Sequence, residues 1–154
     1  MVVLSGSNSR LLATQLAEAL GWTHHSLETR RFPDTEGYTR IPEEIIEDVR
    51  SEPVVLVSNT FPDAGIIETL LMLEAINDVR SGKMENLREI GPQQLPDVGP
   101  GILLAIPYFG YSRQDKRFKP GEAISARAIG QLMASRCDGI VVFDLHAPKV
   151  LEDL

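Results

Sequence analysis

The sequence predicts a single doubly wound α/β domain, in which a mainly parallel sheet is flanked by helices. Four short apolar runs contain no alternating polar residues, as expected for strands that are buried on both faces of a parallel sheet. Segments with helical spacing separate these runs, and such alternation is typical of right-handed crossovers. The runs cover residues 2–4, 54–57, 102–106 and 140–143.

Three segments have the spacing of helices. In the first, Leu12, Leu16 and Leu20 recur every four residues behind the serine- and asparagine-rich cluster 5–9, which is suited to N-capping. The second, at about 66–79, is apolar over more than half of its circumference, which favours burial against the sheet or in a subunit contact. The third covers about 123–135, where Ala128, Ile129, Leu132 and Met133 form one apolar stripe. Residues 83–101 lack periodicity and contain several prolines and glycines, so we expect an irregular surface excursion.

Composition limits the function classes. The chain has 154 residues, 43% of them hydrophobic, which suits one globular domain without a second. A net charge of −7 argues against nucleic-acid binding. Because no apolar run approaches the about 20 residues that cross a bilayer, we expect a cytoplasmic protein without a membrane partner. Cys137 is the only cysteine and is expected to serve packing rather than redox chemistry.

Open parallel sheets bind ligands beyond the carboxyl ends of their strands, and this rule selects three segments. The first, 5–9, lacks a glycine-rich phosphate-binding pattern and favours a helix cap over a phosphate cradle. The second, 107–122, carries four cations within residues 113–119 and three aromatic residues just before them. Arginine and lysine suit a polyphosphate, although a solvated basic loop is the alternative; Gly110 and the aromatic residues favour a shaped site.

The third segment contains Asp144 and His146, which strand alternation places on one side of the backbone, with Leu145 on the other. This pair could share a divalent cation, or it could be a strand-end pair satisfied by mutual hydrogen bonding.

A further loop, 31–37, joins two candidate strands and combines Phe32 with the carboxylates of Asp34 and Glu36. Its composition favours a plain hairpin loop. Phe32 could nevertheless stack on a base, and the carboxylates could accept hydrogen bonds from an amino group. His24 and His25 have no partners at metal-ligand spacing and are interpreted as structural.

These residues resemble those of the ribose-phosphate pyrophosphokinases, also called phosphoribosyl diphosphate synthases, over that family's amino-terminal half only. The most specific match is the string PYFGYSRQDK at 107–116, followed by Ile124-Ser125-Ala126. The string RFPDTE at 31–36 is similar to the family's F-x-D-x-E loop. Asp144-Leu145-His146 is similar to its D-L-H metal segment.

The resemblance implies a phosphoribosyltransferase-like fold and roles for named residues. Arg113, Gln114 and Lys116 would bind ATP. The adenine would be held by Phe32, Asp34 and Glu36, supplied by a neighbouring subunit of a homo-oligomer. His146, supported by Asp144, would bind the Mg²⁺ that accompanies ATP. The family reaction transfers diphosphate from ATP to ribose 5-phosphate, giving phosphoribosyl diphosphate and AMP for nucleotide biosynthesis.

Two departures from the family pattern stand out. The 83–101 stretch is longer than usual, and the carboxy-terminal ribose 5-phosphate-binding domain with its catalytic residues is absent. No catalytic residue is therefore assigned, and we expect the 154-residue chain by itself to be inactive. Residues 1–154 would form the ATP-binding and assembly domain of such an enzyme. The alternative is a non-catalytic regulatory or assembly subunit of the same family.

Overall fold

The fold is known from a computed structural model that describes residues 1–82 and 100–146. The predicted stretch 83–101 therefore lies almost wholly outside the described residues. The elements in chain order are β1 (Val2–Ser5), α1 (Arg10–Leu20), β2 (Thr23–Ser26), β3 (Glu28–Arg31), β4 (Gly37–Arg40), a 3₁₀ turn (Glu43–Ile45), α2 (Ile46–Ser51), β5 (Val54–Val57), α3 (Asp63–Ser81), β6 (Ile102–Tyr108), α4 (Ser125–Ala134) and β7 (Gly139–Asp144).

Five strands form one parallel sheet in the order β2-β1-β5-β6-β7, which confirms the predicted fold class. The four apolar runs became β1, β5, β6 and β7. Strand β2 was not among them, because its sequence Thr-His-His-Ser is polar. It lies at the edge of the sheet, where partial exposure makes continuous apolarity unnecessary. The remaining strands, β3 and β4, form a separate antiparallel hairpin.

The helices lie on opposite faces of the sheet. Ala13 and Ala17 of α1 pack with Val3 and Val55 on one face, here called the α1 face. Helices α2, α3 and α4 pack on the other face. The chain moves along the sheet in one direction from β1 to β2 and in the other from β5 through β6 to β7. Crossovers of one hand therefore place their helices on opposite faces.

The three predicted helices are present, but in two of them some residues of the predicted apolar stripe remain exposed. Leu12 and Leu20 remain 43% and 46% exposed, whereas Ala13 and Ala17 are buried. Alanines lie against the sheet because a short side chain lets the helix approach the strands closely. In α4, Met133 is buried but Leu132 remains 41% exposed.

The open question about the 66–79 segment is resolved in favour of the sheet. Met72, Leu73 and Ile76 of α3 are completely buried in the core that contains the strand residues Leu56 and Leu104. Burying side chains of this size contributes about 1.5–3 kcal/mol each.

The expectation that cluster 5–9 caps α1 through its side chains is wrong. Ser9 occupies the N-cap position, but its side chain makes no capping hydrogen bond. Its hydroxyl instead donates to Asn8 Oδ1 at 2.9 Å. The Ser7 amide and hydroxyl both donate to the Glu68 carboxylate at 2.7 Å. The turn is thus tied to α3 through the Glu68 carboxylate.

Cys137 and the two histidines have structural surroundings, as expected. Burial raises the pKa of the Cys137 thiol to about 11, and its sulfur contacts the Met133 carbonyl oxygen at 3.4 Å. His24 lies within hydrogen-bonding distance of Ser5 and Thr14, and burial lowers its pKa. His25 pairs with Asp48 at 3.0 Å. Separately, no helix within residues 1–82 and 100–146 is long and apolar enough to cross a membrane.

Arg80, in the last turn of α3, holds the amino edge of the sheet together. Its half-buried guanidinium donates to the carbonyl oxygens of Val49 at 3.1 Å, Glu52 at 2.8 Å and Pro100. These carbonyls belong to two separate stretches of backbone: Val49 and Glu52 precede β5, and Pro100 precedes β6. Burial lowers the pKa of Arg80, and five donors in a planar fork suit this arrangement better than an ammonium group.

We expect Arg80→Lys to lower the free energy of unfolding by about 1–3 kcal/mol, because a single ammonium cannot serve three diverging carbonyls. Urea unfolding followed by circular dichroism measures the change. Arg31→Lys is the control, since exposed Arg31 donates only to the Thr35 carbonyl oxygen within the described residues. Equal unfolding midpoints for Arg80→Lys and the original chain would contradict this role.

Candidate functional site

The carboxyl edge of the sheet carries most of the predicted site residues. Strands β6 and β7 are neighbours, and their last residues, Tyr108 and Asp144, are paired in register. The basic loop after β6 and the Asp144–His146 segment after β7 therefore leave the sheet side by side. Loops that follow adjacent parallel strands form the usual ligand-binding crevice of this fold class.

The basic loop begins with a rigid anchor. Phe109 and Ser112 are buried, at 1% and 3% exposure. The Gly110 amide donates to Thr60 Oγ1 at 2.8 Å, and that hydroxyl also lies 3.2 Å from the Tyr108 carbonyl oxygen. A side chain at Gly110 would place its Cβ 2.3 Å from the Thr60 carbonyl oxygen. Glycine is therefore required because two backbone segments meet at this point.

Tyr111 adds conformational strain to the same anchor. Its φ of 67° lies in the left-handed region, which costs a non-glycine residue on the order of 1–3 kcal/mol. Its hydroxyl donates to Asp63 Oδ1 at 2.8 Å, and this hydrogen bond raises the pKa of Tyr111. The loop is thereby joined to the first turn of α3. Strain that is held by such contacts is a frequent feature of binding sites.

Arg113 and Gln114 follow this anchor and are both exposed. Gln114 is fixed to α4: Ser125 Oγ donates to Gln114 Oε1 at 2.7 Å, and the Ala126 amide donates to the Gln114 carbonyl oxygen at 3.3 Å. Within residues 1–82 and 100–146, the Arg113 guanidinium makes no hydrogen bond or ion pair. A cation without a partner on a fixed backbone is available to a ligand phosphate.

The rest of the basic loop, residues 116–122, makes most of its described contacts within itself. Glu122 accepts hydrogen bonds from the amides of Phe118 and Lys119 at 2.7 and 3.0 Å. Arg117 donates through Nε to the Glu122 carbonyl oxygen at 2.7 Å. Lys116 lies 5.2 Å from the centre of the Phe118 ring, which is 76% exposed. Among the four cations, Arg117 therefore helps to shape the loop, whereas Arg113 faces solvent.

The 32–36 segment is the tip of the β3–β4 hairpin, as its composition indicated. The Phe32 amide donates to the Glu36 carbonyl oxygen at 2.9 Å, and the Glu36 amide donates to Asp34 Oδ1 at 3.1 Å. Thr35 has a positive φ of 76°, which makes this a second strained turn. Asp34 therefore shapes the tip, while the Glu36 side chain extends from it.

The Phe32 ring is held from two sides. The edge-to-face contact with Tyr38 has a centroid separation of 5.8 Å, and the Arg30 guanidinium carbon lies 4.8 Å from the Phe32 centroid and 4.3 Å from that of Tyr38. Phe32 still remains 37% exposed. Sequence reasoning missed Arg30 and Tyr38, although their alternate spacing with Phe32 on a hairpin was a usable signal. It also missed Thr60 and Asp63, which lie 50 and 48 positions from their partners.

The structure does not bring all predicted site residues together. Within the described part of the chain, no hydrogen bond, ion pair or ring contact joins segment 32–36 to segment 113–116. The hairpin instead packs on α3, where a cleft of about 190 Å³ lies between Arg30, Tyr38 and Glu68. Asp144 and His146 are exposed, and Leu145 between them in the sequence is partly buried. They belong to the same edge as Arg113.

The chain is thus an α/β domain with a fixed basic loop beside a carboxylate and an imidazole at the carboxyl edge of its sheet, the edge at which this fold class usually binds ligands. Comparison with known proteins gives the family. A family model described as the N-terminal domain of ribose phosphate pyrophosphokinase matches residues 1–85 and 100–136. The chain therefore belongs to the ribose-phosphate pyrophosphokinases and corresponds to their amino-terminal half. The match is interrupted at residues 86–99, within the stretch that departs from the family pattern.

Two archaeal relatives and one solved structure give the extent of the likeness. The ribose-phosphate pyrophosphokinase of Methanothermobacter thermautotrophicus is 37% identical over 147 residues, covering 94% of this chain. That of Methanosarcina acetivorans is 37% identical over 153 residues, covering 99%. The chain spans 44% of the length of each relative. Phosphoribosylpyrophosphate synthetase from Mycobacterium smegmatis shares the fold with a TM-score of 0.76 at 23% identity, covering 99% of this chain and 45% of that one.

We expect Gly110→Ala to lower the free energy of unfolding by about 2 kcal/mol or more, because the new methyl group meets backbone that cannot rotate away. Gly101→Ala is the matched control, since its Cβ would lie 3.7 Å from the nearest atom, Asp138 Oδ2. Chemical denaturation of both variants measures the difference. A Gly110→Ala variant as stable as Gly101→Ala would show that the loop is not anchored at Thr60.

Proposed function

We propose that this chain supplies the ATP-binding and assembly half of a ribose-phosphate diphosphokinase. The complete enzyme would transfer diphosphate from ATP to ribose 5-phosphate, giving phosphoribosyl diphosphate and AMP for nucleotide biosynthesis. The observation that carries the proposal is the exposed Arg113 guanidinium, which has no partner within the described residues, on an anchored loop next to the Asp144–His146 segment at the adjacent strand end. A cytoplasmic location would suit a chain that uses ATP.

In this proposal the polyphosphate lies over the basic loop. Arg113 would bind phosphate oxygens through two parallel N–H donors, and Lys116 would add a point charge. Gln114 would donate through its amide nitrogen, because its Oε1 already accepts from Ser125. None of these side chains needs to act as a nucleophile. Diphosphoryl transfer depends chiefly on positioning and on neutralising charge, which is what cations on a fixed loop provide.

Adenine would lie against the exposed part of Phe32. The contacts with Arg30 and Tyr38 fix the ring before any ligand arrives, so that less side-chain freedom is lost on binding. Asp34 and Glu36 would accept hydrogen bonds from the base amino group. We propose that this hairpin serves a neighbouring copy of the chain in a homo-oligomer, which is consistent with the lack of hydrogen bonds, ion pairs and ring contacts to segment 113–116 in the part of the chain that the structure describes.

Asp144 and His146 are the proposed protein groups for the Mg²⁺ that accompanies ATP. Within residues 1–82 and 100–146, no three His, Cys, Asp or Glu side chains lie together in a way that could hold a metal. A pair of side chains fits Mg²⁺, which usually keeps several waters and takes only one or two protein ligands besides phosphates. When bound, the ion would neutralise developing charge on the transferred group. His146 would help to bind the ion, and Asp144 would support it.

A non-catalytic regulatory or assembly subunit is the second candidate. The observation in its favour is that the matched region covers only 44% of the length of two relatives and contains no recognised ribose 5-phosphate ligand. The presence of Arg113, Gln114 and His146 favours the catalytic candidate, because a purely structural subunit does not need exposed phosphate-binding groups. The two candidates differ in whether activity appears once the remaining half is supplied.

A fusion of this chain to the carboxy-terminal half of the Methanothermobacter thermautotrophicus relative tests the proposal. We expect phosphoribosyl diphosphate and AMP from the fusion and none from the 154-residue chain. Arg113→Ala and His146→Ala should each lower kcat/KM by about 10–100-fold, and His146→Ala should also raise the Mg²⁺ requirement. Lys119→Ala is the control: it removes a charge from an exposed loop position whose backbone, not its side chain, makes the described contacts.

Two outcomes of this experiment would contradict the proposal. A fusion that is folded and binds ribose 5-phosphate but releases no AMP would favour the non-catalytic subunit. An active fusion that tolerates Arg113→Ala as well as it tolerates Lys119→Ala would show that the loop does not bind the polyphosphate.

Shared adenine sites predict complementation between two inactive subunits of the fusion. One carries Arg113→Ala and the other Asp34→Ala, and the two are mixed under conditions that exchange subunits. We expect activity to return, because some mixed interfaces contain one site with both segments intact. Subunit exchange is confirmed separately by mass spectrometry of a tagged pair. A mixture that remains inactive after proven exchange would place both segments in the site of one chain.

A further inference from the structure

Arg113 lies in a turn whose two ends are attached to different helices. The Gln114 amide closes the turn by donating to the Tyr111 carbonyl oxygen at 2.8 Å. Two hydrogen bonds attach Gln114 to the start of α4, and one attaches Tyr111 to the first residue of α3. Both helices pack in the same core, so the two ends are held at a fixed separation. The direction in which the Arg113 side chain leaves the backbone therefore depends on both attachments.

The segment that leads from β5 into α3 holds the loop only as far as Gly110. Thr60 Oγ1 accepts a hydrogen bond from the Gly110 amide, and the Thr60 amide donates to the Tyr108 carbonyl oxygen at 3.3 Å. The Phe61 ring meets the Tyr108 ring edge-to-face, with a centroid separation of 5.8 Å. Residues 60 and 61 thus fix the end of β6 and the first turn residue. The next residue needs a further attachment.

That attachment is a hydrogen bond between two side chains. Tyr111 has a φ of 67°, a conformation that a tyrosine seldom adopts, so its backbone has to be held in place. Its hydroxyl donates to Asp63 Oδ1 at 2.8 Å. Within residues 1–82 and 100–146, the Asp63 carboxylate makes no other hydrogen bond or ion pair. Asp63 therefore offers its acceptor to the turn that carries Arg113.

We propose that Asp63 is a positioning residue for the polyphosphate site and orients Arg113 through Tyr111 without touching the ligand. The inference rests on the proposed function, in which Arg113 binds phosphate oxygens through two parallel N–H donors. Such bidentate binding requires a defined orientation of the guanidinium plane. If the turn is free at Tyr111, this orientation has to be established on binding, which weakens the affinity for ATP.

A second role for Asp63 makes different demands on the side chain. Asp63 is the acidic residue in the first turn of α3, where a negative charge stabilises the helix dipole. That role needs the charge but no acceptor at a particular position. The hydrogen bond to Tyr111 needs the acceptor, which an uncharged amide oxygen also supplies. Asp63→Asn therefore separates the two roles, because it removes the charge and keeps an oxygen.

Steady-state kinetics of the fusion to the carboxy-terminal half of the Methanothermobacter thermautotrophicus relative test the proposal. We expect Asp63→Ala and Tyr111→Phe each to raise the KM for ATP about three- to tenfold, with kcat and the KM for ribose 5-phosphate changed less than about twofold. Asp63→Asn should restore most of the affinity for ATP. Combining Asp63→Ala with Tyr111→Phe should be no worse than either change alone, because both remove the same hydrogen bond.

Tyr108→Phe is the matched control. It also removes a tyrosine hydroxyl next to the loop, but this hydroxyl makes no hydrogen bond within the described residues, and phenylalanine keeps the ring contact with Phe61. We expect its KM for ATP to stay within about twofold of the original value.

Amide hydrogen exchange of the 154-residue chain, followed by NMR, gives a readout that is independent of activity. The Ser112 and Gln114 amides donate within the turn, to the carbonyl oxygens of Phe109 and Tyr111. Both should exchange several-fold faster in Asp63→Ala than in the original chain, and nearly as slowly as in the original chain in Asp63→Asn. The amides of β5 serve as the internal reference and should not change.

The outcomes distinguish this inference from the proposed function. If Arg113→Ala leaves the KM for ATP unchanged, the proposed function fails and this inference fails with it. If Arg113→Ala raises that KM but Asp63→Ala does not, only the positioning role is wrong. Equal effects of Asp63→Ala and Asp63→Asn would assign Asp63 to the helix dipole alone. Unchanged exchange of the Ser112 and Gln114 amides in Asp63→Ala would show that Asp63 does not hold the turn.

Discussion

The parallel pairing of β1, β5, β6 and β7 is the constraint on which the other features depend. It brings the carboxyl ends of the strands to one edge, so that loops far apart in sequence leave the sheet as neighbours. It also requires apolar cover on both faces, which α1 supplies on one side and α3 and α4 on the other. The position of the candidate site at the carboxyl edge is a consequence of this parallel pairing.

The loops at this edge owe their shape to α3. The N-terminal half of that helix receives Tyr111 through Asp63 and the 5–9 turn through Glu68, and it packs against the β3–β4 hairpin. Its middle packs against the sheet, and Met72, Leu73 and Ile76 are completely buried there. The ligand-facing segments are therefore braced by the most deeply buried helix. Such bracing sustains the strained φ angle at Tyr111.

Arg113 and Phe143 are both exposed, but exposure to water has a different free-energy cost for the two side chains. Arg113 is a cation that water can hydrate at little cost, so an exposed position suits it until a phosphate arrives. Phe143 exposes an aromatic ring, and water gives no comparable compensation for apolar surface. The proposed ligand site is therefore compatible with the chain as it stands.

The four apolar strands, the three longer helices, the β3–β4 hairpin and the family resemblance followed from local sequence, because apolar runs, helical spacing and contiguous motifs are all short-range signals. The short helix α2 was not predicted. The edge strand β2 did not, since an exposed edge imposes no apolar pattern. The burial of Ala13 instead of Leu12, and the tie between Ser7 and Glu68, depended on how closely elements approach. The anchoring of Gly110 by Thr60 was likewise decided only by tertiary structure, because the two residues meet through the folding of β5 beside β6.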